Sequence, residues 1–216
     1  MARSTKEEAL VTRFRLLDAA EHVFADKGVS RTSLHDIAQA AGVSRGAIYW
    51  HFKNKADLFN AMMERTTLPL EDSMQQIGDD PALDPLHELK RAIMDAMRKI
   101  SSDERTRRVF EVATLKVEYV DELLAVKARH IQCHVDGVGQ MERSLREAAL
   151  RRDEPLRVSP LMAAQGLQAL VVGLIHSWLL APEVFDLVSV SDVAVQAYLT
   201  GLGLTSCSEL QTELQI

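Results

Sequence analysis

The chain of 216 residues is 47% hydrophobic and 26% charged, as in a soluble globular protein, and its 5% of aromatic residues favours helices packed on helices. The net charge of −6 is unevenly divided: residues 1–65 hold 10 Lys and Arg against 8 Asp and Glu, and the remainder is acidic. Two cysteines, Cys133 and Cys207, are too few for an extracellular disulfide framework. No apolar signal sequence is seen at the start of the chain. The longest apolar run, residues 167–181, is shorter than the ~20 residues of a membrane span. We therefore expect a soluble cytoplasmic protein without a membrane partner.

Helical periodicity recurs along the chain and strand signals are nearly absent, which predicts an all-α fold. A first helix ends at Gly28, a second lies between Ser33 and Gly42, a third follows Ser44 and a fourth follows Asn54. The apolar stripe of the first helix is predicted at Leu10, Phe14, Leu17, Ala20 and Phe24. After a loop at residues 78–85, further helices are predicted near residues 86–101, 103–117, 120–152, 160–181 and 189–203.

The segment at residues 32–55, T-S-L-H-D-I-A-Q-A-A-G-V-S-R-G-A-I-Y-W-H-F-K-N-K, places two short helices on either side of a tight turn at Gly42. That is the layout of a helix-turn-helix, whose second helix enters the major groove of DNA. The residues that can pack between the two helices are Ile37, Ala38, Ala41, Val43, Ile48 and Phe52. We assign the motif to about residues 33–52 and the DNA-binding domain to residues 1–56.

The side of the third helix opposite Ile48 and Phe52 is expected to contact DNA. Arg45 can donate two hydrogen bonds to a guanine, and Tyr49 can contact a thymine methyl group or a phosphate. Lysines and helix N-termini on either side are expected to meet phosphates. A three-helix subdomain that never touches DNA would not explain the exposed aromatic residues of so short a helix. The expected DNA contacts are Thr32, Ser33, Ser44, Arg45, Gly46, Ala47, Tyr49, Trp50, His51, Lys53 and Lys55.

The string G-V-S-R-G-A-I-Y-W-H-F-K-N-K-A-D-L-F resembles the recognition helix and the start of the fourth helix of the TetR family of transcriptional repressors. The opening M-A-R-S-T-K-E-E-A, and R-T-R-R-V-F-E-V with K-V-E-Y further on, are similar to the AcrR and TtgR type, the branch that represses multidrug-efflux pumps. Ser44 stands where Thr is more usual. The resemblance implies a homodimer of nine-helix chains, a palindromic double-stranded DNA operator, and a pocket for a small hydrophobic inducer in the C-terminal domain, residues 57–205.

Apolar residues of that domain are either ordinary core or, as the resemblance implies, partly the lining of an inducer pocket. A few polar side chains would supply the hydrogen bonds of such a pocket. The expected ligand contacts are Leu89, Ile93, Phe110, Thr114, His134, Met141, Gln168, Val171, Val172, Ile175 and His176. The last two predicted helices have more apolar width than one core needs, so we expect them to form the dimer interface, with Trp178 and Leu199 in it.

Four other interpretations are left open. His130, Cys133 and His134 are spaced like metal ligands on one helix face, but no fourth ligand is evident, so a metal sensor is an alternative and no metal is assigned. A regulator of the same family in another pathway is a further alternative. For the rival class of an enzyme, no phosphate-binding loop, HExxH pair or nucleophile elbow is present, so no enzymatic activity and no cofactor are expected. An architectural DNA-binding protein without a ligand would not need a C-terminal domain of about 150 residues. The tail, residues 206–216, is polar.

Overall fold

The computed structural model describes residues 6–78, 80, 82–153 and 155–204. Over these residues it is all-α, with nine α-helices, one short 3-10 helix at Asp121–Leu123 and no strand. The helices are α1 Lys6–Lys27, α2 Leu34–Ala40, α3 Arg45–His51, α4 Lys55–Gln75, α5 Pro85–Ser102, α6 Glu104–Leu115, α7 Leu124–Arg152, α8 Pro160–Leu180 and α9 Leu187–Gly201. The predicted fold class and the predicted number of helices are confirmed. The predicted tail and Cys207 lie outside the described residues.

The chain forms two packing units, and α4 and α7 contribute to both. The first unit comprises Met1–Leu68 and Asp103–Gln132, and the second comprises Pro69–Ser102 and Cys133–Ile216. These divisions do not follow the boundary expected between residues 56 and 57. That boundary stays a prediction, because a packing unit is defined by contacts and a DNA-binding domain by function.

The residues predicted to begin and end the first helices do so. Gly28 follows α1 with φ 82° and Gly42 follows α2 with φ 64°. Residues other than glycine rarely adopt this backbone conformation. Ser33 and Asp36 form a capping box at the start of α2, and Ser44 accepts a hydrogen bond from the backbone of Ala47 at the start of α3. The short helices are therefore delimited by local sequence.

The core of the first unit lies between α1, α2, α3, the first half of α4, and α6. Its largest fully buried side chains are Phe24, Phe52, Phe59, Leu16, Ile37, Ile48, Leu58, Met62 and Leu123, and α6 adds Val109 and Val112. The predicted stripe of α1 is wrong at its first two positions, because Leu10 and Phe14 are 47% and 50% exposed. The helix reaches the core only from its third turn onward.

An ionic cluster joins α1, α4 and α6 within the first unit. Glu21 of α1 is buried, and its carboxylate pairs with Arg65 of α4 and with Arg105 and Arg108 of α6. A buried carboxylate is costly unless cations and hydrogen bonds compensate it, so this arrangement holds the three helices in one register.

The second unit is built on α5, the C-terminal part of α7, α8 and α9, with Leu89, Met97, Leu145, Leu167 and Val195 fully buried. The hydroxyl of Tyr198 on α9 donates a hydrogen bond to the carbonyl of Ala163 on α8 at 2.9 Å. A Cβ atom at Gly166 would collide with the Tyr198 side chain, so this glycine permits the close packing of the two helices. Since the end of α9 meets the start of α8, the two helices are antiparallel.

Candidate nucleic-acid interface

The two short helices pack against each other as a helix-turn-helix. Ile37 and Ala38 of α2 and Ile48 of α3 are at most 1% exposed, as is Phe52 directly after α3. The backbone N–H of Val43 in the turn donates to the carbonyl of Ala38 at 3.0 Å. The predicted packing between the helices is confirmed, and it turns the opposite side of α3 to the solvent.

That opposite side presents a basic and aromatic surface. Trp50 is 73% and Tyr49 is 50% exposed, and the Arg45 guanidinium lies 5.8 Å from the centre of the Tyr49 ring. Ser44 and Gly46 are exposed and Ala47 is half-buried. A Cβ atom at Gly46 would meet only the Ser44 hydroxyl oxygen within 4 Å, so the backbone at this point is open to a ligand. An exposed arginine beside two exposed rings suits contacts with base edges and phosphates.

His51 and Lys53 continue this surface beyond the end of α3. The His51 ring is half-buried and meets the Trp50 ring edge to face, with 4.6 Å between their centres. Burial and then the nearby charge of Arg13 lower the pKa of His51, so the ring is neutral at pH 7 and offers a hydrogen bond instead of a charge. Lys53 is exposed directly after the end of α3.

The surroundings of Lys55 do not fit the phosphate contact that was expected of it. Its side chain is buried, and its ammonium group donates to the carbonyls of Ser30 and Thr32 at 3.0 and 2.9 Å and pairs with Glu122 at 2.5 Å. An ammonium group with three internal partners has no donor left for a phosphate. The lysine instead ties the turn before α2 to the segment after α6.

Thr32 and Ser33 were also expected to contact a phosphate, and their hydrogen-bond donors are likewise used within the chain. Thr32 is 2% exposed, and its hydroxyl donates to the carbonyl of Gly28 at 2.8 Å. The backbone N–H of Ser33 donates to the Asp36 carboxylate at 2.9 Å, which completes the capping box. Two hydrogen bonds from Ser33 lower the pKa of Asp36 to about 2. The donors expected to meet a phosphate at this helix end are therefore used within the chain.

Sequence reasoning missed two residues of α1 that contact the helix-turn-helix. Arg13 donates to the carbonyl of His51, the last residue of α3, and Arg15 donates to the carbonyl of Ala41, directly after α2. Their basic character in a helix that precedes the motif was the available signal. Periodicity alone gave no reason to connect them to particular carbonyls.

The residues expected to bind an inducer are only partly placed together. In the second unit Leu89, Ile93 and Met141 are buried, and Gln168, Val171 and Ile175 are half-buried. Phe110 and Thr114 belong to the first unit, where both are half-buried. Val172, His176 and His134 are exposed, which is wrong for a lining role, because the face of each helix that carries them points to solvent.

An open crevice of about 400 Å³ between α5 and α9 is lined by none of those residues. Its lining mixes five charged side chains with four apolar ones, and Lys90 pairs across it with Asp192 at 2.9 Å and with Gln196 at 3.0 Å. A crevice crossed by these polar contacts is not the mostly apolar cleft that a hydrophobic compound needs.

The three residues considered as a metal sensor have other surroundings. The Nδ1 atom of His130 shares a hydrogen bond with the Tyr119 hydroxyl, the Cys133 thiol lies 3.9 Å from the Glu71 carboxylate, and His134 is exposed. Among the described residues no group of three or more His, Cys, Asp or Glu side chains is arranged to hold a metal ion.

The outer sides of α8 and α9 carry mostly small and apolar residues, with Gln165 and His176 among them, that are exposed in this chain. We define the α8–α9 outer face as Met162, Gln165, Ala169, Val172, Gly173, His176 and Leu180 with Val190, Val193, Ala197 and Gly201. Met162 and Leu180 are each 62% exposed, and Val193 is 70% exposed. Trp178 and Leu199 are 5% and 2% exposed, so the two residues expected in the dimer interface belong to the core of their own chain.

One described helix, Pro160–Leu180, is long and apolar enough to pass a test for a membrane span by length and composition. A helix of a soluble protein passes the same test, so a single such helix is weak evidence. Its apolar outer side belongs to the α8–α9 outer face.

A basic and aromatic helix-turn-helix in an all-α chain defines a DNA-binding regulatory protein. Comparison with known families agrees. Residues 16–62 match the model of the bacterial regulatory proteins of the tetR family, and residues 84–204 match the C-terminal region of MAATS-type transcriptional repressors. The chain belongs to the TetR family of bacterial regulatory proteins.

Three relatives cover most of the chain. The HTH-type transcriptional regulator TtgR of Pseudomonas putida is 36% identical over 187 residues, 87% of this chain and 89% of TtgR. The structure of NalD, the secondary repressor of the MexAB-OprM multidrug efflux pump in Pseudomonas aeruginosa, has a TM-score of 0.82 at 34% identity and covers 91% of this chain and 98% of NalD. SmeT of Stenotrophomonas maltophilia in complex with triclosan has a TM-score of 0.79 at 34% identity and covers 88% of this chain and 90% of SmeT.

Proposed function

We propose that this protein is a cytoplasmic repressor of a multidrug efflux operon that binds a palindromic operator as a homodimer and releases it when a hydrophobic aromatic compound binds. The observation that carries the proposal is the exposed surface of α3 in a chain whose relatives repress efflux pumps. NalD is described as a repressor of such a pump at 34% identity over 91% of this chain. The protein acts as a regulator and not as an enzyme.

DNA recognition is assigned to the outer side of α3. Arg45 reads a guanine, the backbone at Gly46 and Ala47 approaches the base edges, and Tyr49 and Trp50 contact thymine methyl groups or the backbone. Lys53 neutralises a phosphate, and His51 donates or accepts one hydrogen bond. The backbone N–H groups of Lys55 and Ala56 at the start of α4 are the remaining phosphate donors, because the first N–H groups of a helix lack intrahelical partners and that of Asp57 already donates to the Asn54 side chain at 2.8 Å.

Dimerisation is assigned to the α8–α9 outer face. Two antiparallel helices that each expose a line of apolar residues would bury it against the same face of a second copy, as a two-fold interface requires. Two copies present two α3 helices, which can occupy successive major grooves about 34–36 Å apart on a palindromic site.

The inducer is assigned to apolar residues of the second unit. Leu89, Ile93 and Met141 with the half-buried Val171 and Ile175 supply apolar surface, and Met walls adapt to ligands of varied shape. The Gln168 amide lies next to Gly137 of α7, with 3.7 Å between its oxygen and the place of a Cβ atom on the glycine. It supplies the polar contact. The relative SmeT was solved in complex with triclosan, which supports a small-molecule inducer.

The experiment has two steps. Wild-type protein is used to select duplexes from a random-sequence pool, and triclosan is then titrated into the complex with the selected operator. We expect a palindromic site, and a fall in operator affinity of about tenfold, which needs only about 1.4 kcal/mol of differential binding.

Gln168→Leu and His134→Leu are the matched variants. The first should shift the triclosan concentration that releases DNA, and the second, on an exposed residue outside the α8–α9 outer face, should not. Failure to enrich any duplex would contradict the DNA-binding function. Triclosan binding that left operator affinity unchanged would contradict the coupling.

A further inference from the structure

Two arginines of α1 reach the two helices of the helix-turn-helix separately. An Nη atom of Arg13 donates to the His51 carbonyl at 3.3 Å, and an Nη atom of Arg15 donates to the Ala41 carbonyl at 2.7 Å. Because they are two residues apart on a helix, the two side chains leave α1 on opposite sides. One of them therefore serves α3 and the other serves α2.

Both contacts fall on helix C-termini, where such contacts have most effect. α2 and α3 have seven residues each, and helices this short are marginal by themselves. The last carbonyls of a helix have no intrahelical partner, and the negative end of the helix dipole attracts a cation. A guanidinium group satisfies both needs.

Each arginine makes a second contact that fixes its place. The Arg13 guanidinium lies over the Phe52 ring, 4.4 Å from its centre. The Arg15 guanidinium lies 3.3 Å from where a Cβ atom on Gly42 would begin, so it packs against the turn itself. α1 is anchored in the core by Leu16, Ala20 and Phe24, each 0% exposed, which gives both arginines a rigid base.

We propose that Arg13 and Arg15 are positioning residues for DNA recognition, which hold the C-terminal ends of α3 and α2 and so fix the angle between these helices at which α3 fits the major groove. The inference rests on the DNA-binding function proposed above. A base contact tolerates little misplacement, so the loss of either anchor weakens specific binding without removing any group that touches DNA.

Arginines near a DNA-binding surface can also contact phosphates directly, and the two roles have different signatures. A phosphate contact contributes equally to all sequences, and its removal lowers the slope of log K against log salt by about 0.9. A positioning residue affects the selected operator alone and leaves the slope unchanged.

The test compares Arg13→Met, Arg15→Met and Arg13→Lys on the operator selected by the wild-type protein and on a random duplex. Methionine keeps the apolar stem of the side chain, and lysine keeps the charge without the planar group that stacks on Phe52. Arg146→Met is the charge control, because Arg146 is exposed and, among the described residues, its ion pair is with Glu142 one turn away. We expect both Met variants to lose about tenfold in operator affinity, the loss from one misplaced base contact. Random-duplex affinity and salt slope should not change, and Arg13→Lys should fall between wild type and Arg13→Met.

A second measurement needs no DNA. Since the charge of Arg13 helps to lower the pKa of His51, an NMR titration of Arg13→Met should show that pKa raised. If Arg13→Met does not fold, Arg13→Lys and Arg15→Met carry the test. Equal losses on both duplexes with a reduced salt slope would overturn the proposal in favour of phosphate contacts, and unchanged operator affinity in folded variants would overturn it outright. A wild-type protein that selects no duplex would instead contradict the DNA-binding function itself.

Discussion

The two packing units differ in how completely one chain buries their apolar residues. In the first unit α1, α2, α3 and α6 surround a closed core, and the ionic cluster around Glu21 ties α1 to α4 and α6. In the second unit the inner sides of α8 and α9 are buried, but their outer sides leave side chains such as Val193 70% exposed. A monomeric soluble protein rarely exposes a continuous apolar face.

This difference is the reason for assigning the proposed dimer interface to the second unit. The first unit has a closed core and its helix caps within one chain, and its exposed apolar residues in α1 lie before the core begins, at Leu10, Val11 and Phe14. In the second unit the inner sides of α8 and α9 are buried, whereas the apolar residues on their outer sides remain exposed. We therefore expect that assembly and DNA binding can be disrupted by separate substitutions.

The largest effect is expected from a charge in the α8–α9 outer face. Val193→Glu should give a monomer and reduce operator affinity to the level of random DNA, about a thousandfold or more, because a charge buried at a two-fold interface is unpaired. Sedimentation velocity at micromolar concentration measures the assembly. Val184→Glu is the control, since Val184 is 72% exposed but lies after α8 and outside the defined face. A dimeric Val193→Glu would contradict the assignment of the interface.

Removing a core side chain from the helix-turn-helix should spare assembly. Ile48→Ala is expected to destabilise the first unit by about 2–5 kcal/mol, because Ile48 is fully buried between α2 and α3. Hydrogen exchange should show faster exchange in α1–α3, and the protein should still sediment as a dimer. Loss of the dimer in this variant would show that the two units are not separable.

A substitution at Arg45 tests base recognition while the helix-turn-helix stays folded. Arg45→Ala should cost about 1–3 kcal/mol on the selected operator and relax the preference at one base position. Competition with operators that carry single base changes measures this. If binding fell equally on every sequence, Arg45 would be a phosphate contact.

Lys53 and Lys55 are matched controls for each other. Lys53→Ala should lower the salt slope by about 0.9, because Lys53 is exposed beside α3. Lys55→Met should leave the slope unchanged and lower the free energy of unfolding by about 1–3 kcal/mol, because two carbonyls lose their donor. The reverse pattern would restore Lys55 as a phosphate contact.

The smallest effect concerns the cap of α2 at low pH. The pKa of Asp36 is about 2, below its ordinary value of 3.8, because Ser33 donates to the ionised carboxylate. The capping box therefore stabilises the fold above about pH 4, and this contribution is lost as the pH falls toward 2. Asp36→Asn should show a smaller loss of stability between pH 5 and 2 in urea unfolding. Parallel curves for the two proteins would contradict the role of the carboxylate.

The sequence by itself determined the helices and the helix-turn-helix. Gly28, Ser33, Gly42 and Ser44 act through neighbours within four residues, so their effect could be predicted without the fold. The helices predicted near 86–101, 160–181 and 189–203 are found at Pro85–Ser102, Pro160–Leu180 and Leu187–Gly201. Periodicity sufficed because a helix is a local structure.

The tertiary structure decided which side chains of those helices are available. Lys55 looks like a phosphate contact until its ammonium group is placed against carbonyls more than 20 positions earlier in the chain. Trp178 is buried while Val172 and His176, on the same helix, are exposed. Arg13 gains its role from a carbonyl 38 residues away. The physical reason is the same in each case: burial and hydrogen-bond partners depend on contacts between distant segments, and the pattern of residues along one helix does not specify them.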